Sequence, residues 1–110
     1  MSAITTHVLD TVLGRPAAGV PVRLEHLGGN TSRVLAESVT DADGRVRDLG
    51  PERLEPGRYR LTFDVESYFA ATGQRHYLSA VDLTFTPTDG GHHHVPLLLS
   101  PFACSAYRGS

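Results

Sequence analysis

Apolar and polar side chains alternate with a period of two along most of the chain, and almost nowhere with the spacing of a helix. The clearest run is 57–66, where Tyr59, Leu61, Phe63 and Val65 fall on one side and Arg60, Thr62, Asp64 and Glu66 on the other. That pattern predicts a half-buried antiparallel strand. Residues 4–10, 20–27, 34–39, 45–47, 80–86, 92–99 and 102–107 read as further strands, with Pro21 marking a strand start or an edge. Turn residues punctuate them at Gly14-Arg15-Pro16, Gly28-Gly29-Asn30 and Asp41-Ala42-Asp43-Gly44. Pro87 to Gly91 is expected to join 80–86 to 92–99 as a strand pair. Residues 67–73 fit one or two helical turns closed by Gly73. About eight short strands at regular spacing and one short helix predict an all-β sandwich.

Composition narrows the class. The chain has 110 residues, enough for one domain spanning 1–110 with a real apolar core. A formal net charge of -2 argues against a general nucleic-acid binder, which needs clustered cations to release counterions. Every one of the ten Lys or Arg positions is arginine. The single cysteine, Cys104, excludes an intrachain disulfide and reads as a packing residue. The N-terminus lacks a basic region followed by an apolar run, and no segment approaches the roughly 20 apolar residues that span a bilayer. A soluble cytoplasmic protein, with no membrane partner, is the expectation.

Strand parity separates the histidines. His92, His94, Pro96 and Leu98 share one face of their strand; His93, Val95, Leu97 and Leu99 share the other, which is expected to face the core. On the first strand Thr5, His7 and Leu9 share a side, with Ile4, Thr6 and Val8 opposite. An outer face bearing Leu9, Pro96 and Leu98 is apolar enough to predict packing against another copy of the chain. Histidines buried there could exchange protons with water near neutral pH. A zinc site built from His92, His94 and His7 is the competing chemistry, though no carboxylate or cysteine stands beside the tract. Asp41 and Asp43 before Gly44 lack the later ligands of a calcium loop and read as a turn. Arg45 could reach an anionic or carbonyl oxygen. The closing Tyr107-Arg108-Gly109-Ser110 is too distinctive for a frayed end and is expected to be docked.

These residues also carry a family resemblance. Ile4 to Asp10 followed by Gly14-Arg15-Pro16-Ala17, then Tyr68 to Gly73, then His94-Val95-Pro96-Leu97-Leu98-Leu99-Ser100-Pro101 and the terminal Tyr107-Arg108-Gly109-Ser110 resemble the 5-hydroxyisourate hydrolases, the transthyretin-like proteins. The resemblance implies two four-stranded sheets and one short helix. It implies a homotetramer, a dimer of dimers, with active sites in the cleft between dimers. It further implies hydrolysis of 5-hydroxyisourate to 2-oxo-4-hydroxy-4-carboxy-5-ureidoimidazoline in urate degradation, with no cofactor and no metal. Carried over by position, the catalytic residues are His7, Arg45 and His94, and the substrate-side tail is Tyr107, Arg108, Gly109 and Ser110. Two departures stand out: His93 replaces a tyrosine, and Phe102-Ala103-Cys104-Ser105-Ala106 replaces a Tyr-Gly-Tyr-Ser-Thr run. A binding module carrying a small aromatic ligand in the same cleft, and a purely structural sandwich, are the alternative classes.

Overall fold

The computed structural model describes residues 2–109. Its strands are β1 (Ile4–Asp10), β2 (Arg15–Pro16), β3 (Pro21–Gly28), β4 (Thr31–Val39), β5 (Arg45–Val46), β6 (Arg58–Asp64), β7 (Ala80–Phe85), β8 (His93–Leu99) and β9 (Cys104–Ala106). One helix, α1 (Val65–Ala71), lies between β6 and β7. One sheet runs β4-β3-β6-β7, all antiparallel. The other runs β2-β1-β8-β9, with β5 on the same edge of β1 as β2, giving five strands where four were expected. Two of those five are only two residues long, too short to show as alternation.

The alternating residues pack as their parity requires. Ile4, Val8, Leu97 and Leu99 of one sheet meet Val22, Leu24, Leu61 and Phe63 of the other in a single buried cluster. Each such side chain contributes about 1.5–3 kcal/mol when removed from water. Val65 and Phe69 extend the cluster into α1. The helix begins where the Asp64 carboxylate accepts from the Ser67 N–H at 3.2 Å, and ends at Thr72 before Gly73 turns left-handed. Val65, which continues the strand alternation in the sequence, is therefore its first helical residue.

Asp10 ties the helix to the end of β1. Its Oδ1 accepts from the N–H groups of Val12 (2.9 Å) and Leu13 (2.8 Å). Its Oδ2 accepts from the Tyr68 hydroxyl (2.7 Å) and the Gln74 amide (3.1 Å). Burial alone would raise this carboxyl, but the four donors outweigh it and hold Asp10 below its ordinary range. Burial, then Asp10, pushes the Tyr68 phenol up to about 12.

Four expectations are corrected. β7 and β8 do not pair: β7 is the edge partner of β6, whereas β8 lies parallel to β1 in the other sheet. The Pro87–Gly91 stretch is therefore a crossover from one sheet to the other rather than a hairpin turn. Arg15-Pro16, read as a break, pairs with Leu9 and Asp10. Cys104, read as packing, is exposed on the edge strand β9. The predicted apolar outer face is also less bare than expected, since Pro96 is already buried within one chain and Leu9 and Leu98 are half-buried.

Candidate active site

β1 gathers the site because it has neighbours on both edges. On one edge, antiparallel pairing sets His7 opposite Arg45. On the other, parallel pairing sets Thr5 opposite His94 and His7 opposite Pro96. Paired residues project to the same face of a sheet, and i and i+2 share it too. The outer face therefore carries two adjacent rows, Arg45–His7–Pro96 and Thr5–His94. The sequence-predicted His7, Arg45 and His94 are brought together, although they lie far apart in the chain.

Local chemistry fixes Arg45 and His94. The turn before β5 closes with the Asp41 carboxylate accepting from the N–H groups of Asp43 (2.9 Å) and Arg45 (3.0 Å). Gly44, at φ +73°, lets its carbonyl take the Val8 N–H at 2.7 Å, drawing Arg45 against β1. His94 is held through its ring: Nδ1 lies 2.8 Å from the Thr5 hydroxyl, and the same oxygen is 3.0 Å from His92 Nε2. Thr5, His92, His94 and Arg45 line a groove of about 270 Å³. A larger groove, about 480 Å³, crosses the outer face of the second sheet between Arg23 and Asp64, and holds no histidine.

Electrostatics favours a neutral base. Burial of the ring, then the charges of Arg45, His7 and His92, hold His94 below the ordinary imidazole value. A histidine in that condition keeps a lone pair available at neutral pH. Among the described residues, no three His, Cys, Asp or Glu side chains are grouped to hold a metal ion.

The tail is docked, but not all of it points into this groove. Gly109 pairs with His94, donating its N–H to the His94 carbonyl at 2.7 Å. Tyr107 donates to the Pro96 carbonyl at 3.4 Å and leaves its ring exposed. The register that sets Ala106 opposite Leu97 and Gly109 opposite His94 puts Arg108 opposite Val95, on the other face. Its guanidinium accordingly reaches Asp89 at 3.3 Å, away from His7, Arg45 and His94 of the same chain. His93 shares that inner parity, buried 3.4 Å from Asp89. Ser110 lies outside the described residues. Thr5 is a site residue to which sequence reasoning gave no role, and His92 was read only as a candidate zinc ligand; the signal for both was parity with His7 and His94.

A model of the HIUase/Transthyretin family matches residues 4–109. The chain is 47% identical to the 5-hydroxyisourate hydrolase of Deinococcus radiodurans, covering 97% of this chain and 95% of that one. It superposes on the structure of Klebsiella pneumoniae 5-hydroxyisourate hydrolase with a TM-score of 0.86 at 37% identity, covering 97% and 98% of the two chains. Sea bream transthyretin, solved with thyroxine, superposes with a TM-score of 0.91 at 28% identity, covering 97% and 94%. The backbone is thus shared with both a hydrolase and a thyroxine-bound transthyretin, while sequence identity is higher toward the hydrolases. No helix among the described residues is long and apolar enough to cross a membrane. The chain belongs to the HIUase/Transthyretin family.

Proposed function

We propose that this protein is one domain, residues 1–110, that hydrolyses 5-hydroxyisourate to 2-oxo-4-hydroxy-4-carboxy-5-ureidoimidazoline in urate degradation. The observation that carries this reading is the convergence of His7, Arg45 and a neutral His94 on one face of β1 and its two neighbours. His94, with His7 beside it, takes a proton from water as the oxygen adds to the cyclic acyl carbon. Arg45 holds the substrate and meets the negative charge as that carbon becomes tetrahedral. Collapse breaks the carbon–nitrogen bond, and the proton passes to the departing nitrogen. General-base assistance typically gives about 10²–10⁴-fold, and one preorganised donor at the developing oxyanion about 10²–10³-fold. No cofactor is invoked.

The same reading assigns the tail. Gly109 lines the site beside His94, Tyr107 borders it, and Arg108 anchors the segment through Asp89. The assembly is a homotetramer, a dimer of dimers, in which partners cover the exposed Val12, Leu13, Phe102 and Tyr107 side chains and narrow the groove into a cleft. The cytoplasm is the compartment this chemistry suits.

Decay of freshly generated 5-hydroxyisourate, followed by absorbance with wild type and with His7→Ala, Arg45→Ala and His94→Ala, tests the proposal. Wild-type decay no faster than buffer defeats it. A carrier in the manner of the thyroxine-bound relative would instead bind an aromatic ligand saturably without turnover.

A further inference from the structure

Thr5 is almost fully buried, and its hydroxyl is shared by two imidazoles, His94 Nδ1 at 2.8 Å and His92 Nε2 at 3.0 Å. A hydroxyl owns one proton and two lone pairs, and where the proton lies between the rings it donates to one and accepts from the other. Two neutral arrangements place it there; a third, with both rings donating, leaves the Thr5 proton without a ring acceptor. In the first, His94 Nδ1–H donates to Thr5 and Thr5 donates to His92, which leaves His94 Nε2 as a bare lone pair. In the second every direction reverses, and His94 Nε2 carries a hydrogen.

These arrangements have opposite chemistry at the groove. With Nδ1 tied to Thr5, Nε2 is the nitrogen of His94 left to act there, and it is a base only when the hydrogen sits on Nδ1. The groove also contains the Arg45 guanidinium, whose charge acts on the His94 ring. A cation favours an imidazole presenting a lone pair over one presenting N–H. Threonine suits the task because its β-branch restricts rotation, holding the oxygen between the rings.

We infer that Thr5 and His92 are positioning residues: Thr5 accepts from His94 Nδ1, passes its own proton to His92 Nε2, and so locks His94 in the tautomer whose Nε2 is the general base. This rests on the hydrolytic reading above. His92, exposed at the end of the relay, acts by being an acceptor. Both act through the His94 ring. The sequence gives no hint of the relay beyond parity, because the Thr5–His94 contact depends on parallel pairing across most of the chain.

The test combines kinetics with nitrogen NMR of the imidazole rings. Thr5→Val keeps the shape and removes the hydroxyl; kcat is expected to fall at least about tenfold, a part of the roughly 10²–10⁴-fold that general-base assistance supplies, with KM within about twofold. Thr5→Ser, which keeps the oxygen, should restore most of that loss. His92→Ala, at an exposed position, should lower kcat without lowering the melting temperature. The wild-type spectrum should show His94 protonated at Nδ1, and Thr5→Val should show a mixture. Protonation of wild-type His94 at Nε2, or an unchanged kcat in both Thr5→Val and His92→Ala, overturns the inference. Absence of turnover by wild type strikes the hydrolytic reading instead, and the spectrum still reports whether the tautomer is locked.

Discussion

Gly109 lies against the His94 imidazole so closely that a methyl group would not fit between them. A Cβ on Gly109 would stand 2.8 Å from His94 Cδ2 and 3.2 Å from Pro96 Cγ. The ring cannot simply move aside, because Nδ1 is held at Thr5. The docked tail and the candidate base therefore have one shared geometry. Gly109→Ala should detach the tail or tilt the ring, lowering kcat by about 10–100-fold, the scale expected of an ångström-sized misplacement. The melting temperature should change little, since the tail is peripheral to the core. Full activity in Gly109→Ala would show that the ring does not depend on this contact.

Gly44 does the equivalent work for Arg45. A side chain there would collide with the Val8 carbonyl oxygen and approach Pro16 Cβ to 3.0 Å, at a φ of +73° that disfavours other residues. Gly44→Ala should cost about 1–3 kcal/mol in stability, and should also lower activity by moving Arg45 from its place opposite His7. Chemical denaturation gives the first quantity and turnover of the surviving folded protein the second.

The pH dependence follows from the direction of the His94 shift. Burial first, then Arg45, His7 and His92, disfavour its protonated form, so the folded ring charges only below the ordinary imidazole value of about 6.5. Activity that needs neutral His94 should persist down to that value and fall below it. The unfolded chain takes up the proton first as pH drops through about 6.5, so this residue makes folding less favourable at acidic pH. Arg45→Gln removes one cause of the shift and should move the His94 titration upward. Proton NMR of the ring checks it; an unmoved or lowered midpoint contradicts the assignment.

Asp10 makes a separate prediction about stability. Its folded pKa is lowered, so its contribution is present above the ordinary carboxylate range and is lost as pH falls through the folded value. Tyr68→Phe deletes the 2.7 Å donor to Oδ2 and leaves a buried carboxylate underpaired. A loss of about 1–3 kcal/mol is expected at neutral pH, shrinking in acid as Asp10 protonates. Urea titrations at several pH values measure it, and a loss independent of pH would mean that packing, not the carboxylate, is responsible.

Parity was legible from the sequence because it is local. The alternation that puts Leu97 and Leu99 in the core necessarily turns His94 outward, and the same rule turns His7 outward on β1. Most strands, the short helix and the docked tail were readable from the sequence, and the terminal motifs supplied the family. What pairs with what across the chain was not readable. The 80–86 and 92–99 segments look like a hairpin from their turn residues, yet they end in different sheets, because β8 gains a parallel neighbour in β1 that no local signal marks.

The sequence by itself determined which side chains leave the core, since a two-residue period is a property of consecutive positions. Only the tertiary structure decided the register that sets His7 beside Arg45, Thr5 beside His94 and Arg108 on the opposite face. Register between distant strands depends on pairing both edges of β1 while the inner faces of the two sheets pack together. That condition belongs to the folded whole rather than to any segment, and it is what turns three scattered residues into one candidate site.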